Sequence, residues 1–185
     1  QYEAWVEASG SSAARVKVDM GPPLLEPARI PVLGDPENLT LNIAGQSFAG
    51  RAVGMGNPHF VIFLGSRSEV DAVDLETIGP LMQKNAAFPQ SVNVEFVAVD
   101  TDGALYQRTF ERGSGETLAC GSGACATYVA AVLSGKVGSQ GLVRLRGGEL
   151  FMEYSGAKGS SVFMSGPAHL VFSGNFYVAP DRLDR

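Results

Sequence analysis

The sequence predicts an α+β protein, a mostly antiparallel curved sheet or β-barrel wrapped around one buried central helix. Three observations lead there. Most of the chain breaks into short runs of alternating or continuous apolar residues separated by glycine-rich turns, the pattern of strands. The run Ala124-Cys125-Ala126-Thr127-Tyr128-Val129-Ala130-Ala131-Val132-Leu133 is apolar on every face, as a helix enclosed by other structure must be. A second helical pattern, with Val70, Val73, Leu75, Ile78, Leu81 and Met82 at helical spacing, is amphipathic and lies on a surface.

In order, Tyr2 to Ala8 and Ala14 to Met20 alternate apolar and polar residues and read as a hairpin turning at Gly10-Ser11-Ser12. Gly21-Pro22-Pro23 breaks the period, and the proline-rich segment to Pro36 is the best domain boundary or crossover. Strands resume at Leu39–Ile43, Gln46–Val53 and Phe60–Leu64, with Gly54–His59 between the last two read as loop. The amphipathic helix follows and ends near Lys84-Asn85. Val92–Val99 and Leu105–Phe110 are strands joined by a turn at Asp100-Thr101-Asp102-Gly103, and the second delivers Glu111 to a glycine run. Beyond the buried helix, whose end at Ser134-Gly135-Lys136 has glycine where a left-handed cap is needed, strands are expected at 142–146, 149–154, 161–164 and 168–172.

A chain of 185 residues suits one sizeable domain or two small ones, able to bury roughly 70% of its unfolded surface without staples. Its net charge of -5 and pI near 5.0, with 14 scattered basic residues, argue against a nucleic-acid or anionic-membrane partner. No apolar run approaches the roughly 20 residues of a membrane span, and no charged-then-apolar leader opens the chain, so a soluble protein is expected. The first residue is Gln1 rather than methionine, which suggests a fragment. Cys120 and Cys125 flank the start of one helix on different faces and cannot easily bridge, a usage that fits a reducing cytoplasm. With two histidines, two cysteines and no pair at ligand spacing, metal binding is not expected. The glycine loops lack the lysine and spacing of nucleotide-binding fingerprints.

Chemistry concentrates in Glu111-Arg112-Gly113-Ser114-Gly115-Glu116-Thr117-Leu118-Ala119-Cys120-Gly121-Ser122-Gly123-Ala124-Cys125-Ala126. An isolated cysteine is most often a small buried hydrophobe, and that reading is kept for Cys125. Cys120 differs because it stands where a helix begins. Gly121 and Gly123 keep side chains out of the approach and leave N–H groups free to grip an anion such as a carboxylate. The helix terminus contributes about 1 kcal/mol toward an anion, which lowers a thiol only modestly from about 8.5. A neighbouring acid-base group is needed to finish the tuning, and His59 and Glu111, each at a strand end, are the candidates. Arg112 is placed either to clamp a carboxylate or to pair with Glu116; Asn57 and Asn93 read as turn residues.

That stretch resembles the second catalytic signature of the diaminopimelate epimerase family, and Met55-Gly56-Asn57-Pro58-His59 resembles its upstream loop. Val18-Asp19-Met20-Gly21-Pro22-Pro23 and Gly166-Pro167-Ala168 fit the same pattern, so the resemblance spans nearly the whole chain. It implies a cofactor-independent racemase-like enzyme of lysine and peptidoglycan precursor biosynthesis, built from two similar domains that each wrap a barrel around a helix. The implied reaction interconverts LL- and meso-diaminopimelate with two cysteines on opposite faces of the α-carbon. By position, Cys120 would be one acid-base thiol. Asn57, Asn93, Glu111, Arg112, Gly121 and Ser122 would contact the amino-acid substrate, and His59 and Glu111 would adjust thiol ionisation. The first cysteine of the family sits in a Cys-Gly-Asn-Gly stretch that this chain lacks. Residues 1–20 would then be the end of the N-terminal domain, 21–172 the C-terminal domain, and 173–185 a tail returning toward the absent half. The implied partner is that N-terminal domain; a homodimer stays open, since Phe172 stands where some relatives carry a tyrosine associated with dimerisation. Two other readings are kept: a cysteine hydrolase or transferase using Cys120, His59 and Glu111, and a non-catalytic carboxylate-binding half-domain. Proline and hydroxyproline racemases fit the Glu-Arg-Gly and Leu-Ala-Cys elements less well.

Overall fold

A computed structural model of the chain describes residues 3–9, 13–175 and 177. Among these residues eleven strands form one sheet: β1 (Glu3–Ser9), β2 (Ala13–Asp19), β3 (Leu39–Ile43), β4 (Gln46–Gly54), β5 (Pro58–Phe63), β6 (Asn93–Val99), β7 (Leu105–Glu111), β8 (Gly115–Thr117), β9 (Gln140–Leu145), β10 (Gly148–Glu153) and β11 (Phe163–His169). Their order is β1-β2-β11-β10-β9-β7-β6-β5-β4-β3, with β8 added beside β7. All pairs are antiparallel except β5 with β6 and β7 with β9. The curved sheet stays open, with β1 and β3 at its ends, and does not close into a barrel.

Among the described residues three α-helices interrupt the strands: α1 (Arg67–Ala72), α2 (Leu75–Gln83) and α3 (Gly121–Leu133). The single helix expected from after Ser66 to near Lys84-Asn85 is therefore two. Val73 is extended, Ser66 caps α1 by accepting Glu69 N–H at 3.3 Å, and Asp74 caps α2 by accepting Thr77 N–H at 3.2 Å. Arg108 fixes the break, its Nη1 donating to the carbonyls of Val70, Asp71 and Val73 at 2.9, 3.0 and 3.0 Å.

The sheet is packed on both faces. Phe60, Ile62, Val94, Phe96, Tyr106 and Phe110 meet Val70, Leu75, Ile78 and Met82 of α1 and α2 in one core. Val61, Val97, Leu105, Val143 and Met152 meet α3 in the other. From Gly123 to Ala131 every residue of α3 is buried, as its all-round apolar sequence requires. The helix ends in a Schellman cap: Gly135 has φ 64°, Lys136 N–H donates to Ala131 O at 2.9 Å, and Gly135 N–H to Val132 O at 3.0 Å.

Other boundaries moved for identifiable reasons. The loop ascribed to Gly54–His59 ends two residues early, because proline is tolerated as the first residue of a strand and Pro58 opens β5. The two strands expected at 161–164 and 168–172 are one, β11, which runs through Gly166 and Pro167 and stops at His169. β10 pairs only with 163–165, so past that point β11 has β2 as its one neighbour and can lose a donor. β8, inside the glycine run, was not anticipated. The 21–36 segment carries one turn of 3-10 helix, Pro27–Arg29, and bridges to the sheet through Leu24 and Gly54. The turn expected at Gly10-Ser11-Ser12, and tail residues 176 and 178–185, lie outside the described residues.

Candidate active site

Strand alternation puts His59 and Val61 of β5, Asn93, Glu95 and Val97 of β6, and Leu105, Gln107, Thr109 and Glu111 of β7 on one face of the sheet, the face that α3 covers. That face is apolar under the body of the helix and polar under its N-terminus. The polar end is also where the loop before β5 and the strand β8 converge.

Cys120 is the N-cap of α3. Its backbone is extended, its Sγ accepts Gly123 N–H at 3.3 Å and lies 3.6 Å from Ser122 Oγ, and its carbonyl accepts Ala124 N–H at 2.9 Å. Two donors of the first turn are thereby used. The N–H groups of Gly121 and Ser122 have no partner among the described residues, and both residues are half-buried. This is the anion-gripping terminus that the glycines imply.

Around it, Asn93 is buried and joins two segments: its Nδ2 donates to Pro58 O at 3.3 Å and its Oδ1 accepts Arg112 N–H at 2.8 Å. Glu111 is half-buried and accepts Thr117 Oγ1 at 2.5 Å across the β7–β8 hairpin. Arg112 is exposed, and its Nη1 donates to Gln90 O at 2.8 Å. It does not pair with Glu116. That carboxylate binds Arg108 in bidentate fashion at 2.8 and 3.0 Å, and Arg146 at 2.9 Å, because β8 turns Glu116 back along β7 and away from residue 112. Asn57, on the rim, offers Oδ1 to His59 Nε2 at 3.0 Å.

His59 is completely buried, and its Nδ1 meets Glu95 Oε1 at 2.7 Å. Both ring nitrogens are thus engaged by oxygens other than those of a thiol-activating triad, and Glu111 bonds Thr117 rather than the ring. Glu95 escaped the sequence reading. In Val92-Asn93-Val94-Glu95-Phe96 alternation makes it look solvent-facing, and the signal against that lay in α3, whose apolar circumference needs a sheet face to cover it.

The thiol is held differently from the expectation drawn from the helix terminus. Cys120 is 7% exposed, and burial first, then the Glu95 carboxylate, push it up to about 11, outweighing Ser122 Oγ and Gly123 N–H. The dipole term of about 1 kcal/mol is too small to win against desolvation. Glu95 is itself raised by burial, an effect that the His59 ring opposes. Cys125, packed in the core with no exposure, is pushed up to about 12 by burial. Both cysteines are free.

An open sheet folded over one such helix defines a class. A hydroxyproline epimerase from Agrobacterium vitis has this fold, with a TM-score of 0.54 at 20% identity, over 84% of this chain and 51% of that one. Within that class the chain belongs to the diaminopimelate epimerase family. Residues 51–171 match the family. Diaminopimelate epimerases of Leptospira biflexa and Acaryochloris marina are 47% and 48% identical to it, each over 86% of this chain and 56% of the relative. The chain thus spans a little over half the length of the curated relatives it matches.

Proposed function

We propose that this chain is the C-terminal half of a diaminopimelate epimerase active site, contributing one of two acid-base cysteines and the grip on one substrate carboxylate. The observation that carries the reading is the N-terminus of α3, where a sulfur and two unpartnered N–H groups stand side by side. A carboxylate on Gly121 and Ser122 N–H would bring its α-carbon against Cys120 Sγ, and the same donors would offset charge as the carbanion develops. The raised thiol suits the donor role: Cys120 gives its proton to one face of the carbon and reclaims one on the return reaction. Glu111, Arg112, Asn57 and Asn93 surround this point as substrate contacts, and His59 and Glu111 tune the sulfur.

Inversion needs a second group on the opposite face. The chain has one other cysteine, Cys125, which is sealed in the α3 core. The second thiol would therefore come from an N-terminal domain, of which residues 1–20 are the end. Residues 21–172 form the C-terminal domain. The substrate is a small amino acid, the reaction is an isomerisation in lysine and peptidoglycan precursor biosynthesis, and the setting is the cytoplasm. No helix among the described residues is long and apolar enough to cross a membrane.

The test is an assay of LL-to-meso conversion with the purified chain, alone and after adding an N-terminal half from a relative. No turnover alone and recovery on mixing, lost again in Cys120→Ser, is expected. Turnover by the chain alone would overturn the half-site reading.

A further inference from the structure

Glu95 Oε1, His59 and Asn57 Oδ1 form a chain that runs from the deepest part of the sheet to the rim of the site. The His59 ring is its middle link, with Nδ1 at 2.7 Å from Glu95 and Nε2 at 3.0 Å from Asn57. Neither His59 nor Glu95 is exposed at all, and the ring is the sole side-chain partner of Glu95 among the described residues, its Oε2 having none. A buried carboxyl group held by one contact serves that contact.

We propose that Glu95 is a positioning residue of this site: its buried carboxyl group keeps a proton on His59 Nε2, and that proton turns the Asn57 amide so that its two N–H donors face the substrate. This rests on the half-site reading above for the word substrate, but not for the protonation itself.

Both ring nitrogens face oxygens. A neutral ring protonated only on Nδ1 would set the Nε2 lone pair against an Asn57 lone pair. With Asn57 Oδ1 toward the ring, two states avoid that clash: an imidazolium donating from Nδ1 to an ionised Glu95 and from Nε2 to Asn57, or a neutral ring with Nε2–H whose Nδ1 accepts from a protonated Glu95. In both, the pair is neutral overall, as a fully desolvated pair should be. In both, Nε2 carries a proton and Asn57 Oδ1 is consumed. Asn57 Nδ2 is then left as a pure donor on a half-buried rim residue, matching the free N–H groups of Gly121 and Ser122. The group these donors fit is a carboxylate. With the amide turned over, Asn57 would present an oxygen and repel it.

The experiment is nitrogen NMR on the 15N-labelled chain at neutral pH, with the exposed ring of His169 as reference signal. A protonated His59 Nε2 is expected; a bare Nε2 overturns the proposal whether or not any variant folds. Glu95→Met fills the space but has no group that can donate to or accept strongly from Nδ1, so the Nε2 signal should move toward the average of the two tautomers; a signal identical to that of the parent would assign Glu95 a space-filling role and also overturn the proposal. Titrating LL-diaminopimelate separates the two readings. A protonated Nε2 with no shift of the Asn57 amide signal leaves the protonation standing and counts against the donor role and the half-site together. A bare Nε2 with ligand bound removes the inference and leaves the half-site intact.

Discussion

A Cβ placed on Gly123 would stand 2.8 Å from Glu95 Oε1, closer than such atoms approach in proteins. It would also lie 3.2 Å from Cys120 Sγ and 3.2 Å from Gln107 Nε2. A flexible carboxylate could ordinarily swing aside. This one is buried and tied to His59 at 2.7 Å, so the helix terminus must give instead. Gly123→Ala gains about 1 kcal/mol of helix propensity and loses about 1–3 kcal/mol to overpacking. We expect a net loss of about 1 kcal/mol in urea unfolding, with faster alkylation of Cys120 as its cap from Gly123 N–H loosens. A variant as stable as the parent would mean that Glu95 is free to move.

Arg108 joins the helical layer to the site hairpin with one planar group. The two N–H groups of Nη1 are shared among three carbonyls at the C-terminal end of α1, while Nε and Nη2 take both oxygens of Glu116 on β8. Its side chain is 12% exposed, so solvent cannot readily replace these bonds. Lysine keeps the charge but not the fork, and cannot serve the carbonyls and the carboxylate together. Arg108→Lys is expected to cost about 2–3 kcal/mol, since hydrogen bonds to charged groups are worth about 1.5–3 kcal/mol each and one set must go. Urea unfolding checks this; a loss below about 0.5 kcal/mol would show the break between α1 and α2 to be held by its caps alone.

What could be read from the sequence divides along the same line as the sheet faces. The all-round apolar run from Ala124 to Leu133 demanded enclosure, and the glycines beside Cys120 demanded an open helix terminus; both follow from local chemistry, and both are found. Glu95 and Gln107 were invisible because alternation shows which residues share a face but not what covers that face. The pairing of Glu116 with Arg112, one of the two roles open to that arginine, is not the one formed, for a related reason. Proximity in sequence leaves Arg112 open as a partner, while a three-residue strand, too short to have a period, aims Glu116 at Arg108. The thiol lies higher than its place at a helix terminus implies because the sequence displays the terminus and hides the desolvation that outweighs it.

The two buried thiols give the fold an alkaline limit. Burial leads the causes for both, pushing Cys120 up to about 11 and Cys125 up to about 12, while an unfolded thiol ionises near about 8.5. Between those values the folded chain keeps protons that the unfolded chain has released. Raised groups of this kind contribute stability that is complete below about pH 8.5 and drains away as pH climbs toward about 11. Each thiol contributes a slope of at most about 1.4 kcal/mol per pH unit, so the pair should cost about 2–4 kcal/mol between pH 8.5 and about 10. Tyr128, pushed up to about 12 by burial, adds its own loss only above about pH 10, where an unfolded tyrosine begins to ionise. Urea midpoints measured under reducing conditions at intervals across this range should fall steadily, and Cys120→Ser should remove about half of the fall. A midpoint that stays level to pH 10 in the parent would mean that solvent reaches Sγ far more freely than a 7% exposure allows.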